Sequence, residues 1–282
     1  MQLLTDPFSA EFVRTGALAA AIVGVLCGVV GCYVVLRGMA LMADSLAHGV
    51  LPGIAVAFMI TATGEGPVRD PDELAIGLGA LAAGLLTAVA TGLILRRSRL
   101  REETAAAVVF VFMLALGVVL ISRTDGYSVD LTAFLFGDVL GVQGADVTVT
   151  AVLTVAILAV GAALYRPLLV LCFDRQRAAA LGLPVDRLQL VLLVLVVLAV
   201  VVGFRVVGSL LVLGMLMAPP AAAALVTKRL PAMMLVSAAI AAASAPIGLL
   251  LSWHLDLAAG ASIVLVPVTL FLILLTLRPA PR

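Results

Sequence analysis

The sequence predicts an all-α protein, a polytopic transmembrane helical bundle of eight to nine spans with a short cytoplasmic helix. Three observations predict it. Hydrophobic residues make up 64% of the 282 positions and charged residues 12%, where a soluble domain carries about 25% charged. The mean hydropathy is +1.27. Apolar runs long enough to cross about 30 Å of hydrocarbon recur along the whole chain. No polar segment is long enough for a separate domain, so residues 1–282 read as a single transmembrane domain.

The N-terminal MQLLTDPFSAEFVRTGALAAA has two acids before its apolar run and no basic start. That argues against a cleaved signal peptide and for an ordinary first span, over 16–36. Cys27 and Cys32 fall within it, five apart and on different faces, and Cys172 lies at the edge of a later run. None has CxxC spacing, so all three read as small buried hydrophobes. The second span, 40–61, is apolar except for Asp44 and His48, and Gly49, Pro52 and Gly53 predict a kink or local opening beside them. Runs at 74–95, 105–122 and 147–171 follow, then 188–204, 206–226, 232–252 and 260–277. Pro219-Pro220 interrupts 206–226. If that run or 40–61 fails to cross, the count drops from nine to eight. The many Gly and Ala residues in these spans suit close helix packing.

Orientation follows from the basic residues. Nine spans with the N-terminus outside put thirteen of the seventeen Lys and Arg on one side: Arg37, Arg96, Arg97, Arg99, Arg101, Arg166, Arg175, Arg177, Arg187, Lys228, Arg229, Arg278 and Arg282. Only Arg14, Arg69, Arg123 and Arg205 fall opposite. The crowded side is cytoplasmic. The acidic loops 64–73 and 124–130 then face outward, either steering cations or merely avoiding the basic side. A net charge of +1, with no basic patch interleaved with aromatics, gives no support for nucleic-acid binding.

Asp44 and His48 are the most informative residues. Four apart on a helix, they share one face. An Asp near the bilayer centre costs roughly 2.5–3.5 kcal/mol, so such groups face a cavity, a partner or a substrate path. With about 1.5 Å of rise per residue, Asp44 lies roughly 10 Å and His48 roughly 16 Å below the boundary at Arg37. A carboxylate beside an imidazole is a donor pair that Mn²⁺, Fe²⁺ or Zn²⁺ accepts. The competing expectation is a polar pair bracing two helices. Met39, Met42, Met215 and Met217 read as packing rather than soft copper ligands. Asp138 reads as a helix cap or part of an outer mouth, His254 and Asp256 as a solvated turn or a docking contact, and Arg205 as snorkelling to the interface.

Residues 172–187, CFDRQRAAALGLPVDR, predict a short cytoplasmic helix with Asp174 as N-cap and Gly182 as its stop. Arg175, Arg177, Ala178, Ala179, Ala180 and Leu181 complete it, a surface suited to docking in a groove on a soluble partner. This loop resembles the coupling helix of ATP-binding-cassette importers with the larger, vitamin-B12-type (type II) permease fold. VLRGMALMADSLAHGVLPGIA (35–55), SVDLTAFLFGDVLGV (128–142) and VVGSLLVLGMLMAPPAAAALVTKRLP (206–231) resemble the bacterial permease subunits for manganese, zinc or iron. The resemblance runs from about residue 15 to 277.

It implies a multi-pass protein of the bacterial cytoplasmic membrane, a homodimer of permeases, a separate cytoplasmic ATPase and an extracytoplasmic metal-binding protein. It also implies Asp44 and His48 as the metal pair, with Mn²⁺ or Zn²⁺ as transported cargo and no permanently bound cofactor. No GxxxxGK[ST] sequence occurs, which agrees with ATP hydrolysis by another polypeptide and with a permease rather than an enzyme. The expected function is import of a divalent transition metal, Mn²⁺ favoured over Zn²⁺ and Fe²⁺ because the pair offers no thiolate. The rivals are a same-fold importer of a cobalamin or haem chelate, and a proton-coupled carrier without an ATPase.

Overall fold

The structure is a computed structural model describing residues 10–61, 73–98, 100–122, 139 and 141–277. Among the described residues all regular structure is helical: α1 (Glu11–Arg37), α2 (Ala40–His48), α3 (Leu51–Thr61), α4 (Glu73–Arg97), α5 (Glu102–Ile121), α6 (Gly144–Ala163), α7 (Tyr165–Phe173), α8 (Arg175–Ala180), α9 (Val185–Val207), α10 (Ser209–Val226), α11 (Leu230–Leu255) and α12 (Ala259–Leu277). Eight stretches among them are long and apolar enough to span a bilayer, α2 and α3 counting as one over Ala40–Thr61. The ninth candidate yields a shorter apolar helix, Val212–Val226.

Helix α1 is the centre of the bundle. It packs on α6, α9, α10 and α11, and its small residues let those backbones come close. A Cβ on Gly24 would lie 2.8 Å from the Ala241 carbonyl oxygen, and one on Gly28 would lie 3.0 Å from that of Ser237. On Gly31 it would collide with the Leu216 carbonyl oxygen. The Ser237 hydroxyl uses the same proximity, donating to the Gly28 carbonyl at 2.8 Å. Cys27, Cys32, Met39, Met42 and Met215 are buried in this core and Met217 is half-buried against it, which agrees with their packing role.

The chain then reverses in two residues. Gly38 takes φ 65°, its N–H donating to Val35 and that of Met39 to Val34. This paired capping closes the end of α1 and starts α2 at once. The expected opening after His48 is present, as a break between α2 and α3. Its cause is Pro52, which has no N–H to offer the His48 carbonyl. Gly49 lets the break press on α4: a Cβ there would sit 2.5 Å from Thr87 Oγ1, which donates to the Gly49 carbonyl at 3.3 Å.

The run expected at 147–171 is two helices. α6 ends at Ala163, Leu164 leaves the helix at φ −96° and ψ 11°, and α7 begins at Tyr165. Pro167 explains the division, because in a continuous helix its ring would clash with the Ala163 carbonyl, whereas in the first turn of a new helix it is tolerated. His254 is a second difference. It sits in the last turn of α11 rather than in a loop, and Asp256 closes that turn at φ 52°. The loop 124–130, Arg69, Arg99, Arg123, Asp138, Arg278, Arg282, the Arg205 side chain, and most of 64–73 and of 128–142 lie outside the described residues.

Gly31→Ala is expected to cost roughly 1–3 kcal/mol by overpacking α1 against α10. Gly161→Ala, whose Cβ meets nothing within 4 Å, should cost none of it. Thermal unfolding of the purified variants in detergent checks this; equal midpoints would contradict the packing account.

Candidate functional site

Helix α2 buries Met42, Ala43, Ser45, Leu46 and Ala47 and leaves Leu41, Asp44 and His48 as a stripe on its open side. His48 Nε2 lies 3.5 Å from Asp44 Oδ1, with 20% of the imidazole and 30% of the carboxylate side chain exposed. A charge-assisted N–H···O bond closes to about 2.7–2.9 Å, so the two groups are adjacent without being locked together. Among the described residues neither hydrogen-bonds to a second helix.

Helix α5 sets the orientation of α2. The Ser45 hydroxyl donates to the Ala106 carbonyl at 2.9 Å. One helical turn further, Phe110 meets the His48 ring edge-on, with centroids 5.6 Å apart and planes at 62°. The imidazole is thus held by an aromatic contact. Among the described residues no group of three or more His, Cys, Asp or Glu side chains is placed to hold a metal.

Helix α8 is capped at both ends. Asp174 Oδ1 accepts from the backbone N–H of Gln176 at 2.8 Å and of Arg177 at 2.9 Å. At the other end Gly182, at φ 74°, donates to the Ala179 carbonyl and Leu183 to that of Ala178. Ala178 is buried and anchors α8, while Phe173, Arg175, Arg177, Ala179, Ala180 and Leu181 are exposed. An exposed Phe and Leu flanking two small residues make an apolar knob with a basic rim, on a helix of fixed length.

Behind α8 lies a polar network joining five helices. Arg37 Nη2 and Arg175 Nη1 each lie 3.3 Å from Glu102 Oε1, and Gln189 Nε2 donates to the same oxygen at 3.2 Å. Arg175 also reaches Gln189 Oε1 at 2.9 Å and Asp186 at 3.3 Å, and Arg96 reaches Asp186 at 3.4 Å. Arg37, Arg96 and Arg175, which charge counting placed on one side, thus meet at one end of the bundle. The pairs differ in weight. Arg96–Asp186 is exposed and contributes about 0–1 kcal/mol. The Arg37 side chain is only 8% exposed, and its Nη1 has no partner among the described residues. Removing Glu102 would strand that buried charge, at about 3–5 kcal/mol.

Comparison with known proteins decides the class. The model of the ABC 3 transport family matches residues 9–278. The chain belongs to this family. It is the multi-pass membrane permease of a transporter of the bacterial cytoplasmic membrane, and ATP hydrolysis belongs to a separate subunit. Family relatives include the manganese transport system membrane protein MntC of Halalkalibacterium halodurans, 41% identical over 93% of this chain and 86% of its own length. The chelated iron transport system membrane protein YfeD of Yersinia pestis is 34% identical over 97% of this chain and 88% of its own length. Among solved structures, PsaBC from Streptococcus pneumoniae in complex with Fab superposes with a TM-score of 0.83 at 33% identity, covering 99% of this chain and 96% of that one.

For this family member, the sequence reading singled out Asp44, His48 and the helix 174–182, and the structure puts the first two side by side and folds the last as a capped helix. It missed Ser45, Phe110, Glu102 and Gln189. Glu102 carried a signal, an acid within the basic run RRSRLREE, and Gln189 another, a lone amide in an apolar helix. Asp174→Ala is expected to lose both cap bonds at about 1 kcal/mol. Amide hydrogen exchange over 175–180 should then quicken several-fold; unchanged exchange would show that the cap does not hold α8.

Proposed function

We propose that this permease imports a divalent transition metal ion, manganese favoured, and that the ion passes between Asp44 and His48. The carrying observation is the pair itself: an acid and an imidazole 3.5 Å apart, partly exposed on one stripe of a short helix in an otherwise apolar bundle. A carboxylate oxygen and an imidazole nitrogen without thiolate favour Mn²⁺, and Zn²⁺ and Fe²⁺ accept the same donors. The printed name of the H. halodurans relative supports manganese.

Two donors fall short of a full shell. The pair lies on an open face of a single chain, so a second permease facing it would bring the set to two carboxylates and two imidazoles. A homodimer with a shared midplane site follows. A cytoplasmic ATPase seats on Phe173, Ala179, Ala180 and Leu181 and moves α8 as nucleotide binds. An extracytoplasmic metal-binding protein delivers the ion to the opposite end. The convergence of Arg37, Arg96 and Arg175 supports the α8 end being cytoplasmic. The iron-chelate name of the Y. pestis relative favours the rival in which the cargo is a chelate. That cargo would need a wide apolar pore and no imidazole.

His48→Ala and Asp44→Asn should each lower manganese uptake by about tenfold or more in cells carrying the complete transporter, with the permease still in the membrane. Uptake of manganese, zinc and iron in competition reads the result. Normal uptake of all three by His48→Ala would remove the pair from the path.

A further inference from the structure

Three contacts fall on one stripe of α5 at positions i, i+4 and i+8. Glu102 holds Arg175 of α8 and Arg37 at the end of α1. Ala106 accepts the hydroxyl of Ser45 on α2. Phe110 touches the ring of His48. Along the helix axis they span about 12 Å, from the cytoplasmic network to the pair. No other helix among the described residues touches both α8 through a charged group and the imidazole of His48 through its ring.

We infer that this face of α5 is a rod that sets the position of His48 according to the position of α8, with Glu102 and Phe110 as positioning residues. The inference rests on the proposed metal path, and adds how that path is linked to the docking helix. Glu102 is the lower joint. One of its oxygens takes two guanidinium groups and an amide, so a shift of Arg175 changes the hold on Arg37, whose buried charge has no other ion partner among the described residues. Arg37 is followed by the two-residue reversal into α2, so the same disturbance reaches α2 from both its start and its flank. Open space exists for the motion. A cavity of about 820 Å³ borders Arg96, Arg175, Asp186 and Gln189, and one of about 280 Å³ borders Arg37, Met42 and Glu102. The upper joint is firm, since Ser45 and Ala106 are buried and α5 cannot slide past α2 without breaking their bond. When α8 moves, α5 and α2 move as a unit, and the imidazole and the carboxylate beside it are carried together.

The test uses the full complex of permease and ATPase in proteoliposomes, with Mn²⁺ as the probe and two readouts, manganese moved and ATP hydrolysed. Glu102→Gln keeps an acceptor but removes the charge, and Phe110→Leu keeps bulk but removes the ring. Each is expected to lower manganese moved per ATP about tenfold while hydrolysis continues. The double variant should fall no further than the singles, because both cut one rod; Glu102→Asp should recover part of the ratio. If Glu102→Gln does not assemble, Ser45→Ala with Phe110→Leu makes the same cycle. A wild-type ratio in either single variant overturns the inference, as does a double variant whose loss is the product of the two, about a hundredfold. His48→Ala in parallel vesicles keeps the two readings apart. Lost uptake there, with a normal ratio in Glu102→Gln and Phe110→Leu, defeats the rod alone. Retained uptake there defeats the metal path, whatever the ratio does.

Discussion

The structure depends on holding an acid and an imidazole, four residues apart, on a nine-residue helix inside an apolar bundle. Hydrocarbon penalises both groups, so α2 must present them to an opening and cover everything else. Its geometry meets that demand at three places. The reversal at Gly38 fixes where α2 begins, Pro52 and Gly49 fix where it ends, and the Ser45–Ala106 bond with the Phe110 contact fixes its rotation. Shift any one and the pair turns into lipid or into the packed core. The long gap between the two groups leaves each able to meet a cation, which a tightly closed pair could not do.

The rest of the bundle makes that placement rigid. α1 is mostly buried because its glycines admit the backbones of α10 and α11, and in a membrane close packing replaces the hydrophobic effect as the cohesive force. The polar cost is concentrated at one end, where Glu102 compensates a buried guanidinium and an exposed one together. The exposed Arg96–Asp186 pair adds little energy but ties α4 to the same cluster. The bundle is thus stiff at its core and polar at one rim, where α8 is attached.

Much of this was legible in the residues. Span positions follow from apolar length and the α8 boundaries from Asp174 and Gly182, because each is a local property of the chain. The break after His48 was legible for the same reason, Pro and Gly acting within one turn. What was not legible depends on residues far apart in sequence. Nothing in the run VVFVF marks Phe110 as the residue that meets His48, and the three donors on Glu102 come from α1, α8 and α9. The split at Leu164 is signalled by the proline of YRPLL, a segment that otherwise continues the apolar run before it.

The central claim is that an ion passing through this permease touches the Asp44 carboxylate and the His48 imidazole. Its most direct test is the pulsed electron paramagnetic resonance spectrum of Mn²⁺ bound to the assembled transporter with ¹⁵N-labelled histidine. The account predicts hyperfine coupling to imidazole nitrogen, from two equivalent rings in the dimer, absent in His48→Ala. A bound, transport-competent Mn²⁺ with no histidine coupling in the unmutated protein would contradict it.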